Sequence, residues 1–236
     1  MVKHMSLREE IGQTISKLWF ESFHGLLSTH SVKFEGYPFG SLLPICRDAQ
    51  AYPLLLISHL AQHTQNLGKD PRCSLTLIRS EHADVLQWTR LSCLAEVEPV
   101  NTGKALERYC RYFPDGRHYH KELNFNLYRL RPKRFYLISG FGSARWYDAS
   151  RILDTPHLHT AAELEILYQI NAHDHELLKR LLIHRDMRIP EQIQAVGADP
   201  QGLDVRLGEH LTRLHFSRPI TDESRFVALM EDAITD

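Results

Sequence analysis

The stretch Ile57-Ser58-His59-Leu60-Ala61-Gln62-His63-Thr64-Gln65-Asn66-Leu67, followed by Asp70-Pro71-Arg72, carries the reading of the fold. Pro53 to Ser58 ahead of it and Cys73 to Ile78 behind it are short β-like runs. Between them Ala61 to Gly68 is polar and ends in Gly-Lys-Asp-Pro. That pattern predicts a single short helix stopped before Pro71, because the residue ahead of a proline is pushed out of the α region. A strand, a short helix and a strand therefore follow in order. Where the first strand passes into the helix, hydroxyl, imidazole and amide groups gather beside exposed backbone N–H groups, which suit anions.

Upstream, Ser6 to about His24 places Leu7, Ile11, Ile15, Leu18 and Phe20 mostly at three- and four-residue steps, an amphipathic helix that should pack on the barrel or a partner. Further β-like runs cover Gly25 to Ser31, Gly40 to Cys46 and Leu86 to Val97. Thr102 to Phe113 has a helical pattern, Pro114-Asp115-Gly116 a turn, and Asn126 to Leu130, Arg134 to Ser139 and Ala144 to Tyr147 return to strands. These runs form an antiparallel barrel closing near residue 150. After Pro156 one long helix is expected through Glu163, Leu164, Leu167, Ile170, Leu177, Leu178 and Leu181, then two strands and a last helix from Asp222 to Ile234. The expected domains are 6–150 and 157–236, within the usual size range of about 50–200 residues.

With 43% hydrophobic and 24% charged residues, the chain has the apolar surface of an ordinary globular protein. Twenty-eight Lys and Arg against 29 Asp and Glu leave a formal charge of -1, which argues against nucleic acid as a partner. The cysteines Cys46, Cys73, Cys93 and Cys110 form no CxxC pair, and no apolar signal segment opens the chain, so reduced thiols in a cytoplasmic protein are expected. No run approaches the roughly 18–20 apolar residues of a membrane-spanning helix, so no membrane association is expected. Met1 to His4, ahead of Met5, has the look of a cloning remnant.

The order strand, S-x-x-x-x-H-x-x-N-L, D-P-R, strand resembles the corresponding stretch of the pyridoxamine 5'-phosphate oxidase-like, FMN-binding split-barrel superfamily. Within it the whole chain is more similar to haem-utilisation proteins of HugZ type. Tyr128-Arg129-Leu130-x-Pro132 and Ser139-Gly140-Phe141-Gly142-Ser143-Ala144-Arg145-Trp146 resemble that group's closing strands. Asn171-Ala172-His173-Asp174-His175 and Val196-Gly197-Ala198-Asp199-Pro200-Gln201-Gly202-Leu203-Asp204 resemble its C-terminal helix and hairpin. The resemblance implies an α+β protein, a split β-barrel followed by a small α+β domain, assembled as a homodimer with a large planar cofactor in the cleft.

Two cofactors follow from the resemblance. The true oxidases clamp FMN phosphate with Arg and Lys on an R-x-x-L-L-K strand and an S-R-K turn. Here Ser41 and Cys46, then Ala61-Gln62-His63, stand in register with those groups. Each charge-assisted phosphate contact is worth about 1.5–3 kcal/mol, so FMN bound in that manner would be weak. Haem is the preferred cofactor, with an axial histidine, basic residues on the propionates, and ring opening driven by an external electron donor. An FMN-dependent oxidoreductase and a non-catalytic haem or tetrapyrrole-pathway binding protein are the alternatives.

Candidate ligand contacts are Ser58, His63 and Arg72, which offer a hydroxyl, an imidazole and a guanidinium to a phosphate or propionate. Asn66 belongs to the same constellation, although Asn66 and Asp70-Pro71 equally suit capping and ending the helix. Tyr128-Arg129 and Arg145-Trp146 pair guanidinium with aromatic groups and suit a planar anion. His63, His118 and His120 are candidates to line a barrel pocket, and His210 and His215 are the late candidates for the haem iron. His173 and His175, two residues apart on a helix, would project about 200° from each other and not chelate together. His157 and His159 would share a face only on extended backbone. No Ser-His-Asp set, Cys-His set or glycine-rich phosphate loop has the required spacing.

Overall fold

The computed structural model describes residues 7–101, 103–139, 144–153, 157–172 and 175–235. Gly140 to Ser143 of the closing-strand motif and the His173-Asp174 pair lie outside the described residues. The chain forms two compact units, Met1–Leu106 with Asp115–Asp154, and Glu107–Pro114 with Thr155–Asp236.

The first unit opens with helix α1 (Leu7–Glu21) and strands β1 (His24–His30), β2 (Pro38–Pro44), β3 (Cys46–Arg47) and β4 (Pro53–Ser58). The short helix α2 (Gln62–Lys69) and strand β5 (Arg72–Arg79) follow, as the opening stretch predicts. Strand β6 (Thr89–Pro99) begins later than expected, because Val85–Gln87 forms a 3-10 turn capped by Asp84. Helices α3 (Gly103–Tyr112) and α4 (Gly116–Glu122) precede β7 (Phe125–Ile138), β8 (Ala144–Asp148) and α5 (Ala149–Leu153). The eight strands form one curled antiparallel sheet in the order β2-β1-β5-β6-β7-β4-β3, with β8 paired to β7.

The two strands expected over 126–139 are a single strand. Pro132 lacks an N–H, yet it is accommodated where the β6–β7 register shifts: Leu94 faces Arg134, Ala95 faces Pro132, and Lys133 is the extra residue. At the same place β7 exchanges its other neighbour, pairing with β4 over Phe125 to Arg129 and with β8 over Arg134 to Ile138.

Period-two alternation along β5 turns Cys73, Leu75 and Leu77 inward, to meet Leu27, Leu91, Cys93, Phe135 and Leu137. Helix α1 closes this core with Ile15, Leu18 and Trp19. The Trp19 indole N–H donates to the Ala51 carbonyl at 3.0 Å, its ring meets Phe135 edge-on, and the Arg47 guanidinium lies over it. All four cysteines are buried thiols, and burial pushes Cys73 up to about 12 and Cys93 upward as well, which makes both poor nucleophiles.

The second unit combines Glu107–Pro114 with helices α6 (Thr160–Asn171), α7 (Glu176–His184) and α8 (Phe226–Thr235) and strands β9 (Ile193–Asp199), β10 (Gly202–Leu207) and β11 (His210–His215). The single long helix expected here is two helices, with His175 in the left-handed region (φ 59°) ahead of α7. The helical premise therefore fails for His175, and His173 lies outside the described residues. Three strands, not two, form the sheet β11-β10-β9.

Buried charge organises this unit. Arg213, whose side chain is fully buried, donates to Asp204 at 2.8 Å and to both Asp199 oxygens at 2.7 and 2.8 Å. Burial opposes its charge, but the two carboxylates outweigh that and hold its pKa above the ordinary value. The Tyr112 hydroxyl donates to the other Asp204 oxygen at 2.6 Å. Gly197 is required here: a Cβ at this position would lie 1.7 Å from the Tyr112 oxygen. Glu163, 1% exposed, is paired with Arg108 and Arg111 and accepts from the Ala198 N–H at 3.2 Å.

Candidate functional site

The corner between β4 and α2 is built by local hydrogen bonds. The Ser58 carbonyl accepts from the Ala61 N–H at 3.1 Å and from the Thr64 hydroxyl at 2.6 Å, and the Ser58 hydroxyl accepts from the Leu60 N–H at 3.2 Å. Ala61 at the N-cap supplies no side-chain acceptor. His63, on the first turn, places Nδ1 3.1 Å from the Ser41 hydroxyl on β2. Burial lowers its pKa below the ordinary value, so it is mostly neutral at pH 7 and offers no fixed charge to an anion.

Asn66 is fully buried and caps neither helix end. Its Oδ1 accepts from the Val32 N–H at 3.0 Å and from Gln62 at 2.9 Å, and its Nδ2 donates to the Thr29 hydroxyl at 2.9 Å. These contacts tie α2 to β1 and to the turn after it. At the other end of α2, Arg72 is exposed and held against Asp70 by Nε and Nη2 at 2.9 and 2.6 Å, which keeps the Asp70 carboxyl well below the usual carboxylate range.

Tyr128 and Arg129 lie on β7 opposite Leu55 and Leu54 of β4. Tyr128 packs against the barrel core. Arg129 sits between two carboxylates, with Nε 2.6 Å from Asp48 and Nη1 3.3 Å from Glu98. The Asp48 pair is close yet poorly aligned for a hydrogen bond, so it acts mainly through charge. Arg131 first, and Arg129 second, hold Glu98 below its ordinary pKa. Arg145 and Trp146 are exposed on β8, with the Trp146 ring 4.7 Å from that of Tyr136.

Ser58, His63 and Asn66 thus share one corner, whereas Arg72, the Tyr128-Arg129 pair and the Arg145-Trp146 pair occupy other parts of the same sheet. In the second unit, His210 opens β11 opposite Leu207, and His215 closes it opposite Gly202 with its carbonyl accepting from Arg185. His159 is the N-cap residue of α6 and is bonded to Glu223. Sequence reasoning missed Thr29, Asp48 and Glu98 as partners. For Asp48 and Glu98 the available signal was a pair of acidic residues in a barrel whose closing strand carries Arg129 and Arg131.

Two further features belong to the outer side of the sheet. An open cavity of ≈ 330 Å³ is lined by Leu18, His24, Leu26, Leu42, Ile78 and Arg79 among others, and contains none of the expected ligand residues. Register also aligns Leu42, Leu26, Thr76, Ser92, Tyr136 and Trp146 in one row across six strands. Leu42 and Trp146 in that row are 70% and 55% exposed, so the row presents apolar groups to its surroundings.

Residues 14–152 match the family model described as CREG, beta-barrel. The chain belongs to the CREG β-barrel family. This split-barrel family is related to the HutZ/HugZ-type haem proteins, in line with the resemblance carried by the opening stretch. Among curated relatives, the CREG β-barrel chain is 28% identical over 194 residues to the non-canonical heme oxygenase HOZ, chloroplastic, of Arabidopsis thaliana, covering 78% of this chain and 59% of HOZ. It is 25% identical over 140 residues to the heme oxygenase HutZ of Vibrio cholerae, covering 56% of this chain and 79% of that one. The chain thus spans under two thirds of HOZ. Among solved structures, a protein of unknown function from Agrobacterium tumefaciens superposes with a TM-score of 0.76 at 20% identity, covering 98% of this chain and 97% of that one. A heme binding protein from Mycobacterium smegmatis gives 0.57 at 20% identity over 99% and 98%. These two establish the fold alone.

Proposed function

We propose that this chain binds haem in the cleft of a homodimer and serves haem degradation, with iron released by oxidative ring opening. The observation that carries the choice of haem over FMN is the chemistry of the β4–α2 corner. Where the flavin enzymes of the superfamily place phosphate-binding cations, Cys46 is fully buried, the Ser41 hydroxyl is bonded to His63, Gln62 is bonded to Asn66, and His63 is mostly neutral. No cationic side chain remains in those positions. HOZ and HutZ, both named heme oxygenases, add support from the relatives.

Bound haem supplies oxygen activation when an external donor reduces it. The protein's part is to hold the ring, pair its propionates and orient it. The row from Leu42 to Trp146 supports the dimer, because its exposed apolar residues Leu42, Leu26 and Trp146 gain from being covered by a second copy. A reducing, cytoplasmic setting suits the four buried thiols.

The test is an absorbance titration of the purified chain with haem and separately with FMN, then ascorbate in air, alongside sedimentation analysis. A saturable Soret band that decays to a biliverdin-like product in a dimer supports the reading. A stable haem complex without turnover reduces it to haem binding, and FMN binding with no Soret change replaces it with a flavin oxidoreductase.

A further inference from the structure

Two histidines of the first unit are held in one tautomer at one corner. Asn124 takes a left-handed conformation (φ 52°) between α4 and β7, and the adjacent carbonyls on either side of the next peptide meet two imidazoles. The Asn124 carbonyl lies 3.2 Å from His59 Nδ1, and the Phe125 carbonyl 2.7 Å from His120 Nδ1. A carbonyl can only accept, so Nδ1 carries the proton in each ring and a neutral ring keeps its lone pair on Nε2. Metal-bound histidines are held in this way, the second nitrogen donating to a carbonyl or carboxylate. His159 shares the tautomer through Glu223, but it is 87% exposed on the connection before α6 and has no second imidazole on a neighbouring acceptor.

The surroundings have the chemistry of a planar dianion's seat. Arg117, His120 and Lys121 fall at positions i, i+3 and i+4 of α4 and so share a helix face. All three are exposed, and neither cation has an ion-pair partner among the described residues. Leu60, beside His59, is 72% exposed, Leu123, beside Asn124, is 47% exposed, and Tyr119, stacked on Phe125, is 40% exposed. An oriented imidazole, two uncommitted cations and a rim of exposed apolar side chains thus meet within the segments 59–60 and 117–125.

We propose that this corner is where the chain ligates haem iron, with His120 Nε2 as the axial ligand and Arg117 and Lys121 pairing the propionates. The assignment rests on the haem reading above and departs from the late candidates His210 and His215. Ferric haem titrated into the full chain reads it directly through the Soret position and the electron paramagnetic resonance signal. The expected result is an imidazole-ligated spectrum that is lost in His120→Gln, recovered there by added imidazole, and retained in His59→Gln, His210→Gln and His215→Gln. Replacing Arg117 and Lys121 together by Gln should weaken haem binding about tenfold, while leaving unchanged the affinity for haem dimethyl ester, which lacks the carboxylates. An unaltered spectrum in His120→Gln, or a loss that follows His59, His210 or His215 instead, overturns this assignment and leaves the haem reading standing. No saturable Soret change in the unmutated chain overturns both.

Discussion

Asn66 and His63 lie on one short helix and answer to different physics. Asn66 is buried beyond solvent, and its amide serves the Val32 N–H and the Thr29 hydroxyl at once. Asn66→Ala removes the partner of the Val32 N–H on an exposed residue and one of two partners of the buried Thr29 hydroxyl, which still donates to the Phe39 carbonyl. A buried polar group left short of a partner costs about 1–3 kcal/mol. Chemical denaturation should show a loss of about 1–3 kcal/mol; a loss below about 0.5 kcal/mol would mean that water replaces the amide. His63 matters through its proton. Its pKa in the folded chain is lowered by burial, so below the unfolded value of about 6.5 the unfolded chain binds more protons than the folded one. Stability is therefore unaffected above that pH and falls as the pH drops from about 6.5 toward the lowered pKa. His63→Gln should lose less stability than the unmutated chain between neutral and mildly acidic pH. Parallel curves for the two proteins would show that this imidazole titrates as it does in water.

Strand β7 shows at the scale of an element why some of the fold was legible in the sequence and some was not. The strand, short helix and strand around Ser58 were legible because an apolar run, a polar helix and an X-Pro stop are each local signals. A proline mid-strand is a local signal too, but here the tertiary structure overrides it: the register shift around Lys133 removes the need for the missing N–H. Helix α4, Gly-Arg-His-Tyr-His-Lys-Glu, has no apolar period to announce it, and the break before α7 falls in the polar run between Ile170 and Leu177, whose seven-residue step also suits one continuous helix. The candidate site was less legible than the fold, since the residue types at 58, 63 and 66 were visible but their partners Ser41, Thr29 and Val32 come from strands fixed only by the sheet. The register shift also yields a prediction. Deleting Lys133 moves Arg134 to Ile138 by one residue and turns Phe135 and Leu137, both buried, toward the outer face. The deletion should abolish cooperative thermal unfolding, whereas Lys133→Ala, at a side chain half exposed and paired only with Glu96 on the surface, should stay within about 0.5 kcal/mol of the unmutated chain. A deletion variant that melts cooperatively would show that β7 can re-register without its extra residue.

At the scale of the whole molecule, the path of the chain decides what depends on what. Residues 107–114 lie in sequence between two strands of the barrel, yet they belong to the compact unit formed by 155–236. They bring to it the buried Tyr109 and Tyr112 and the two guanidinium groups that neutralise Glu163. A chain consisting of 155–236 alone would keep the Glu163 carboxylate buried while losing both cations. A buried charge stripped of its partner costs about 3–5 kcal/mol, a large share of the about 5–15 kcal/mol that stabilises a domain. Glu163→Gln should therefore act with opposite signs in two settings. In the full chain it removes charge from the Arg108 and Arg111 contacts and lowers stability, by about 2–4 kcal/mol for a mostly buried pair. In the isolated 155–236 piece it removes an uncompensated charge while its amide oxygen can still accept from the Ala198 N–H, so it raises stability. Urea unfolding of the four proteins measures both signs. If Glu163→Gln destabilises both forms, Glu163 is solvated once 107–114 is gone, and the dependence of the second unit on that segment comes from its aromatic burial rather than from its charge.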